Sequence, residues 1–152
     1  MRVYLDNCCY NRPYDDQSQL RISLETQAKL QIQDMIRDKE VELASSYVLI
    51  FENSKNPYEL RKRTILRFVK ENVNSYVDID SADKVKALAE EIIATGIKTA
   101  DAYHVACAIL SESDCFLTTD DRLLNYTTDK VRIEDPTQFI REWEVLKNED
   151  DK

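Results

Sequence analysis

The chain of 152 residues is long enough for one domain that buries roughly two-thirds of its unfolded surface. Its composition, 43% hydrophobic and 33% charged, is that of a soluble globular protein, and it lacks the apolar run of ~18 residues that a membrane span needs. A formal net charge of −8 argues against a protein that binds nucleic acid nonspecifically through overall positive charge.

The numbers of glycine, proline and cysteine residues indicate the domain organisation and the state of the thiols. With only one glycine and three prolines, the sequence offers no flexible linker, so we expect a single domain. No signal peptide is expected before the first strand, which favours a cytoplasmic protein without a membrane. The four cysteines (Cys8, Cys9, Cys107 and Cys115) form no CxxC or Cys/His spacing, so we expect reduced thiols rather than a zinc site.

Short β-prone runs alternate with helical patterns along the chain. Strands are predicted at residues 3–5, 42–44, 76–79 and 115–117, with a fifth at 130–133. Helices are predicted at 20–37, 46–54, 58–71, 81–94 and 99–111, and a last helix opens at Pro136 and runs through Trp143. A loop, NRPYDDQSQ, follows the first strand. This alternation predicts an α/β fold with a parallel sheet covered on both faces.

The segment KTADAYHVACAIL, residues 98–110, places a carboxylate at the head of an apolar helix face. His104, Val105, Ala108 and Ile109 follow Asp101 at helical spacing, and three of these four are apolar. Thr99 is a plausible N-cap, so Asp101 would lie in the first turn, where the helix dipole favours an anion. The segment alone does not distinguish this structural role from a functional one.

Three further acids occupy positions where α/β proteins bind ligands. Asp6 directly follows the first strand, and Asp120 follows the fourth strand after two threonines. Glu52 lies in an apolar helical stretch six residues past Ser46, beyond the second strand. Ligands of parallel sheets bind beyond the carboxyl ends of the strands, so these three acids and Asp101 could converge on one edge.

The negative charge of four clustered carboxylates has to be neutralised. Two unit charges ~4 Å apart repel by about 4 kcal/mol at an effective dielectric constant of 20. Either some carboxyl groups stay protonated or a divalent cation neutralises them, and oxygen ligands without a nearby Cys/His set favour Mg²⁺ or Mn²⁺. Such a site suits displacement at phosphorus.

The motifs LDNCCYNRP, SSYVLIFE, TADAYHVACAIL and LTTDDRLL resemble those of the PIN-domain ribonucleases and occur in the family's order across residues 1–145. The resemblance implies a three-layer α/β/α fold with a mainly parallel sheet of about five short strands. It also implies RNA as substrate, Mg²⁺ or Mn²⁺ as cofactor, and Asp6, Glu52, Asp101 and Asp120 as catalytic and metal-binding residues. Thr118 would hydrogen-bond at the pocket rim. Residues 146–152 remain as an acidic C-terminal tail.

Small single-domain members of this family include toxins of toxin–antitoxin pairs, of the VapC type. Those proteins are dimers and are held inactive by an antitoxin segment that covers the acids. The resemblance therefore implies an antitoxin protein and a second copy of the chain as partners. A free-standing RNA-processing protein is the alternative within the family.

The sequence departs from the family at one position. The family usually has a small polar residue two places after the first acid, where this chain has Cys8. Either Asn7, one place earlier, takes the polar, substrate-binding role, or this contact is absent. Asp121, next to Asp120, is a candidate supplementary ligand.

Basic and aromatic residues supply candidates for substrate contact. Six basic residues against one glutamate give the segment 55–70 a local charge of +5, which is either a solvated helix face or an RNA contact. Lys55, Arg63 and Arg67 could share one helix face, with Lys62 on another. Tyr10 and Tyr14 flank Arg12 near Asp6 and are candidates for substrate contact, as is Arg12 itself.

Other residues receive structural interpretations. Tyr4, Tyr76 and Tyr103 are predicted to lie in the core, and Trp143 to anchor the last helix. His104, three residues after Asp101, is interpreted as a hydrogen-bonded core group within reach of that acid.

Two other functions compete with the nuclease. A HAD-type phosphatase requires a second aspartate where Cys8 occurs, and a phosphate-binding loop richer in glycine than this chain allows. A PIN-fold RNA- or protein-binding module without catalysis is the remaining alternative.

Overall fold

Five parallel strands form the centre of the structure, a computed structural model that describes residues 1–150. The strands are β1 (Arg2–Leu5), β2 (Glu42–Ser46), β3 (Val73–Val77), β4 (Cys115–Leu117) and β5 (Arg132–Glu134). Their order across the sheet is β3-β2-β1-β4-β5. The first strand of the chain is therefore the central one.

Within residues 1–150, eight helices connect and cover the strands. They are α1 (Asn7–Asn11), α2 (Leu20–Arg37), α3 (Tyr47–Ser54), α4 (Glu59–Asn72), α5 (Ala82–Ile93), α6 (Thr99–Leu110), α7 (Asp121–Leu124) and α8 (Pro136–Asp150). Short 3-10 turns occur at Arg12–Tyr14 and Ile79–Ser81. No helix within residues 1–150 is long and apolar enough to cross a membrane.

Side chains of β1 alternate between two buried cores. Val3 and Leu5 pack with α2, α4 and α8 on one face of the sheet. Tyr4, between them, packs with α5 and α6 on the other face. A strand buried on both faces belongs to the middle layer of a three-layer α/β/α structure, which confirms the predicted fold class.

The strand order sets the location of a ligand site. β1 pairs on one side with β2, the next strand along the chain, and on the other side with β4. The strand order therefore changes direction between β1 and β4, and in a parallel sheet such a point has a crevice outside the carboxyl ends of the two strands. Asp6 follows β1 directly and Thr118 follows β4 directly, so both lie at this crevice.

The structure corrects the prediction of the third strand. The strand spans Val73–Val77 rather than 76–79, because Asp78 caps a 3-10 turn by accepting a hydrogen bond from the Ile79 backbone N–H. Tyr76 is 43% exposed, so the prediction that it lies in the core is wrong. β3 is an edge strand, and the side chain of Tyr76 lies in a surface groove.

The ends of two predicted helices also differ. Lys55 is the C-cap of α3, and α4 begins only at Glu59, so Lys55 and Arg63 do not share a helix face as predicted. The last helix continues past Trp143 to Asp150, so most of the predicted tail 146–152 is helical, and its final two residues lie outside the described chain. Trp143 packs against the α2–α8 core, as expected of an anchor.

Candidate active site

The four predicted acids line one pocket at the carboxyl edge of the sheet. The pocket has a volume of about 450 Å³. Its lining residues are Asp6, Asn7, Cys8, Asn11, Asp15, Glu52, Asp101 and Asp120. No lysine or arginine is among them, so the pocket is lined by acidic, amide and thiol groups only. Asp15 is an additional acid that the sequence patterns did not indicate.

Asp6 is positioned by the end of β1 and the start of α1. Its backbone N–H donates to the Leu117 carbonyl at 2.9 Å, which extends the β1–β4 pairing by one bond. Its carboxylate caps α1 by accepting from the Asn7 backbone N–H at 2.8 Å. The Cys8 thiol lies 3.4 Å from the second carboxylate oxygen, in the place where the family has a small polar residue.

Thr118 connects two of the acids. Its hydroxyl donates to Asp6 Oδ2 at 2.9 Å and accepts from the Asp120 backbone N–H at 3.1 Å. Thr118 is fully buried beneath the pocket, so its predicted place at the pocket rim is wrong. Asp120 in turn caps α7, accepting from the Arg122 backbone N–H at 2.9 Å. One buried hydroxyl therefore fixes the ends of β1 and β4 relative to each other.

Glu52 is held from two sides. The Asn7 side-chain amide donates to Glu52 Oε1 at 3.2 Å, and His104 Nε2 bonds to Glu52 Oε2. His104 is buried, and its Nδ1 bonds to the Tyr4 hydroxyl at 2.9 Å, which bonds to Ser46 at 2.6 Å. The prediction of a hydrogen-bonded core histidine is confirmed, but its carboxylate partner is Glu52 rather than Asp101.

The pKa values of this pair move in opposite directions. The hydrogen bond from His104 lowers the pKa of Glu52 below its ordinary value, against the opposing effect of burial. Burial acts to lower the pKa of His104, but the bond to Glu52 and the nearby charges of Asp6, Glu52 and Asp101 outweigh it, and the net shift is upward. Both shifts favour an ion pair between His104 and Glu52.

Asp101 is the acid whose charge is least compensated. It lies half-buried in the first turn of α6, which starts at Thr99 with Lys98 as N-cap, so the predicted cap at Thr99 is wrong. Burial raises the pKa of Asp101, and the neighbouring charges of Asp6, Asp120 and Glu52 raise it further. Asp101 lines the same pocket as Asp6, Glu52 and Asp120.

The donor set fits a divalent cation by its chemistry. Carboxylate oxygens are the ligands that Mg²⁺ and Mn²⁺ prefer, and four of the residues that line the pocket supply them from separate segments of the chain. Within residues 1–150, however, no group of three or more His, Cys, Asp or Glu side chains is already arranged to hold a metal ion. Asp6 and Glu52 already accept hydrogen bonds from the protein, so a cation would bind to their remaining lone pairs.

Asp121 and Arg12 have partners outside the pocket. Asp121 pairs with Arg21, with 2.7 Å between Nη2 and Oδ1, and this contact lowers the pKa of Asp121. Arg12 bonds to the buried Glu25 and to Asp15, each at 3.0 Å. Neither Asp121 nor Arg12 lines the acid pocket.

The aromatic and basic residues predicted to contact substrate differ in their exposure. Tyr10 is 1% exposed, so the prediction that it contacts substrate is wrong. Tyr14 remains accessible, and the guanidinium of Arg61 lies 4.6 Å from its ring centroid. Arg63 and Arg67 are exposed on α4, away from the acid pocket.

Comparison with known proteins supports the fold. No protein-family model and no curated protein matches this sequence. The chain resembles a chain in the crystal structure of VapBC2 from Rickettsia felis bound to a DNA fragment from their promoter, with 14% identity over 89% of this chain and 98% of that chain and a TM-score of 0.57. A chain of FitAcB from Neisseria gonorrhoeae gives 17% identity, coverage of 88% and 97%, and a TM-score of 0.49. The likeness to the VapBC2 chain and the strand order show that this chain has the PIN-like fold that its motifs imply.

Proposed function

We propose that the chain is a Mg²⁺- or Mn²⁺-dependent endoribonuclease with Asp6, Glu52, Asp101 and Asp120 as its catalytic and metal-binding residues. The observation that carries this proposal is the convergence of these four acids, from four distant segments, on one pocket of a PIN-like fold. The mutual repulsion of these carboxylates destabilises the fold, so we expect such a cluster to persist only where a cation offsets its charge.

The surrounding residues have positioning roles. His104 holds Glu52 in its ionised form, and Thr118 fixes the spacing of Asp6 and Asp120. Asn7 orients Glu52 from the opposite side and is placed to contact a substrate phosphate or ribose. A bound divalent ion would offset the carboxylate charge and stabilise negative charge that develops on the phosphodiester. With no basic residue lining the pocket, the protein alone offers the phosphate no cationic partner there.

Cleavage of mixed RNA substrates with Mg²⁺ or Mn²⁺, with and without EDTA, tests this function. We expect cleavage that EDTA abolishes, and a loss of about 100-fold or more in the Asp101→Asn variant. Asp121→Asn is the matched control, because Asp121 is an acid paired with Arg21 outside the pocket. Cleavage that persists in EDTA, or in Asp101→Asn, would contradict the proposal, and binding without any cleavage would favour a non-catalytic module.

We further propose that the chain is the toxin of a toxin–antitoxin pair. The chain with a similar fold comes from a structure of VapBC2 bound to promoter DNA. The motifs of the acid pocket resemble those of the PIN-domain ribonucleases, which include the VapC-type toxins. Expression of the chain alone should arrest growth of a bacterial host, and the Asp101→Asn variant should not. Co-expression of a small DNA-binding protein encoded next to the chain should restore growth.

A second copy of the chain is the proposed occupant of an apolar groove beside the acid pocket. The groove, of about 860 Å³, lies among α3, the end of β3 and the start of α6. Phe51 and Ile79, which line it, are 61% and 63% exposed, and large apolar side chains at this level of exposure favour association.

The dimer is tested by sedimentation. Ile79→Glu should shift the chain from dimer to monomer, whereas Leu60→Glu should not, because Leu60 is exposed outside the groove. A wild-type chain that sediments as a monomer would contradict the proposed dimer.

A further inference from the structure

A second cavity, separate from the acid pocket, lies between α2 and α4. Its volume is about 540 Å³, within the range of small-molecule sites. Tyr10 on α1 closes one side, Lys29 and Gln33 line the wall from α2, and Ile65 and Phe68 line it from α4. None of the four acids of the proposed active site contributes to it.

Three polar side chains in this cavity are buried without hydrogen-bond partners. Tyr10, Lys29 and Gln33 are 1%, 5% and 8% exposed. The Tyr10 hydroxyl and the Gln33 side-chain oxygen are fully buried, and neither has a hydrogen-bond partner. The Lys29 ammonium forms no hydrogen bond or ion pair with any residue from 1 to 150, and it lies 5.6 Å from the centroid of the Tyr10 ring.

Such groups are rarely left unpaired in a folded protein, because burial without a partner costs free energy. The Tyr10 hydroxyl and the Gln33 side-chain oxygen have no surface that a ligand could touch. The Lys29 ammonium is therefore the group whose missing partner a ligand in the cavity would supply.

The charge around the cavity favours an anion. Three cations, Lys29, Arg37 and Arg67, line it against two acids, Asp34 and Glu71. Asp34 and Arg37 pair with each other at 3.2 Å, which leaves Lys29 and Arg67 against Glu71. Burial disfavours the charged form of Lys29 and lowers its pKa to about 8. An anion beside the amine would stabilise the charged form and so offset the effect of burial. Phe68 and Ile65 supply an apolar wall next to these charges.

We propose that this cavity is a binding site for a small organic oxyanion, a carboxylate or phosphate group on an apolar body. The Lys29 ammonium donates to the anionic group, the Gln33 side-chain N–H bonds to its edge, and the Tyr10 ring closes one side of the site. The apolar body packs against Ile65 and Phe68, and Arg37 and Arg67 attract the anion from the rim.

Titration of the ¹⁵N-labelled full chain tests this site with defined probes. Phenyl phosphate and benzoate carry the two anionic groups on the same ring, and benzyl alcohol is the neutral control. We expect at least one anion to shift the amide resonances around Tyr10, Lys29 and Gln33 in a saturable way, and benzyl alcohol to bind at least about tenfold more weakly. The stronger of the two anions identifies the preferred group. If neither anion shifts these resonances at about 10 mM, the proposal is overturned.

Variants separate a built site from weak surface attraction. Lys29→Met removes the charge and keeps the length of the side chain, and it should weaken binding of the better anion at least about tenfold. Lys130→Met, at an exposed lysine, should leave that affinity unchanged. Arg67→Gln, on the exposed side of α4, should weaken binding even if Lys29→Met does not fold. Unchanged affinity in Lys29→Met, or in Arg67→Gln if the former is unfolded, overturns the proposal.

This binding is independent of the proposed nuclease activity. Asp101→Asn and EDTA should abolish RNA cleavage and leave binding of phenyl phosphate or benzoate intact. A protein that binds the anion without cleaving RNA would contradict the nuclease alone, and one that cleaves RNA without binding either anion would contradict the cavity alone.

Discussion

At the scale of single residues, Asp101 differs from the other acids of the pocket in its surroundings. Asp6, Glu52 and Asp120 each accept at least one hydrogen bond, whereas no donor within residues 1–150 bonds to the Asp101 carboxylate. Its raised pKa means that the folded protein disfavours its charged form. Asp101 is therefore expected to reduce the stability of the fold at neutral pH while it serves the site.

We predict that Asp101→Asn stabilises the metal-free protein at pH 7. Because its pKa is raised in the folded state, the contribution of Asp101 to stability is most favourable below its ordinary pKa of 3.8 and is lost as the pH rises through the folded-state value. The gain should stay below about 1 kcal/mol, because the half-exposed carboxylate is screened by solvent, and it should fade toward acid pH. Urea unfolding measures this gain in the free energy of unfolding. Asp121→Asn should have the opposite sign, since it removes the Arg21 pair, and a destabilised Asp101→Asn would refute the crowding of charge.

The His104–Glu52 pair leads to a prediction with a pH window. Glu52, with its lowered pKa, contributes stability that is present above 4.5 and is lost as the pH falls through its folded value. His104, with its raised pKa, contributes stability that is present below 6.5 and is lost as the pH rises through its folded value. The pair should therefore stabilise the fold most between these two pH values.

The His104→Gln variant measures this window. We expect a loss of about 1–2 kcal/mol near pH 5.5, a figure reduced for the partial exposure of Glu52, with smaller losses at pH 3 and pH 9. Urea unfolding of both proteins across this range gives the difference. A difference that does not vary with pH would mean that the histidine contributes packing rather than charge.

Sequence alone located the four acids but not the contacts that position them. Asp6 and Asp120 follow strands directly, so the edge on which they lie depends only on the strands being parallel. The contact between Glu52 and His104 depends on how α3 and α6 pack against each other, which neither helix pattern specifies. The burial of Thr118 was missed for a similar reason, because its place relative to Asp6 is set by the β1–β4 pairing.

At the scale of elements, the break between α3 and α4 divides the basic segment. Pro57 lacks a backbone N–H and disfavours helical geometry at Asn56, and the Tyr58 N–H bonds instead to the Asn56 side chain at 3.0 Å. The strip of basic residues predicted from Lys55 to Arg67 is therefore confined to α4. The proline was visible in the sequence, but the relative direction of the two helices was not.

Charge reversal on α4 tests whether this helix contacts RNA. We predict that Arg67→Glu and Arg63→Glu weaken RNA binding, and that each lowers the slope of log affinity against log salt by about one unit for each phosphate that the arginine neutralises. Lys62→Glu should have a smaller effect, because the Lys62 side chain is 30% exposed whereas that of Arg63 is 72% exposed, although both pair with Glu59. Fluorescence anisotropy across a salt series measures the three variants. Equal effects at all three positions, or binding that ignores salt, would leave the helix as a solvated face.

At the scale of the whole molecule, the acid pocket joins segments that are far apart in the chain. Its acids come from the ends of β1 and β4, from α3 and from α6, so an ion that binds all four would connect elements across the sheet. The sequence predicted the layers and the parallel sheet, because alternating strands and helices leave few other arrangements. It could not predict the cavity between α2 and α4, since that cavity depends on the distance between two packed helices.

We predict that Mn²⁺ or Mg²⁺ raises the melting temperature of the wild-type protein, because a ligand that binds only the folded state stabilises it. At a free metal concentration of about 100 times the dissociation constant, the gain is about 2.7 kcal/mol. Asp101→Asn should show a smaller shift, and Asp121→Asn the full shift. A melting temperature that does not respond to millimolar metal would count against a formed site.

The central position of β1 also affects how the protein is made. The first strand to leave the ribosome pairs with β2 on one side and must wait for β4, more than one hundred residues later, on the other. Asp120 lies beyond β4, so the acid pocket cannot close before most of the chain has been synthesised. If the proposed nuclease activity is right, the message that encodes the chain meets no formed active site until β4 and Asp120 have left the ribosome.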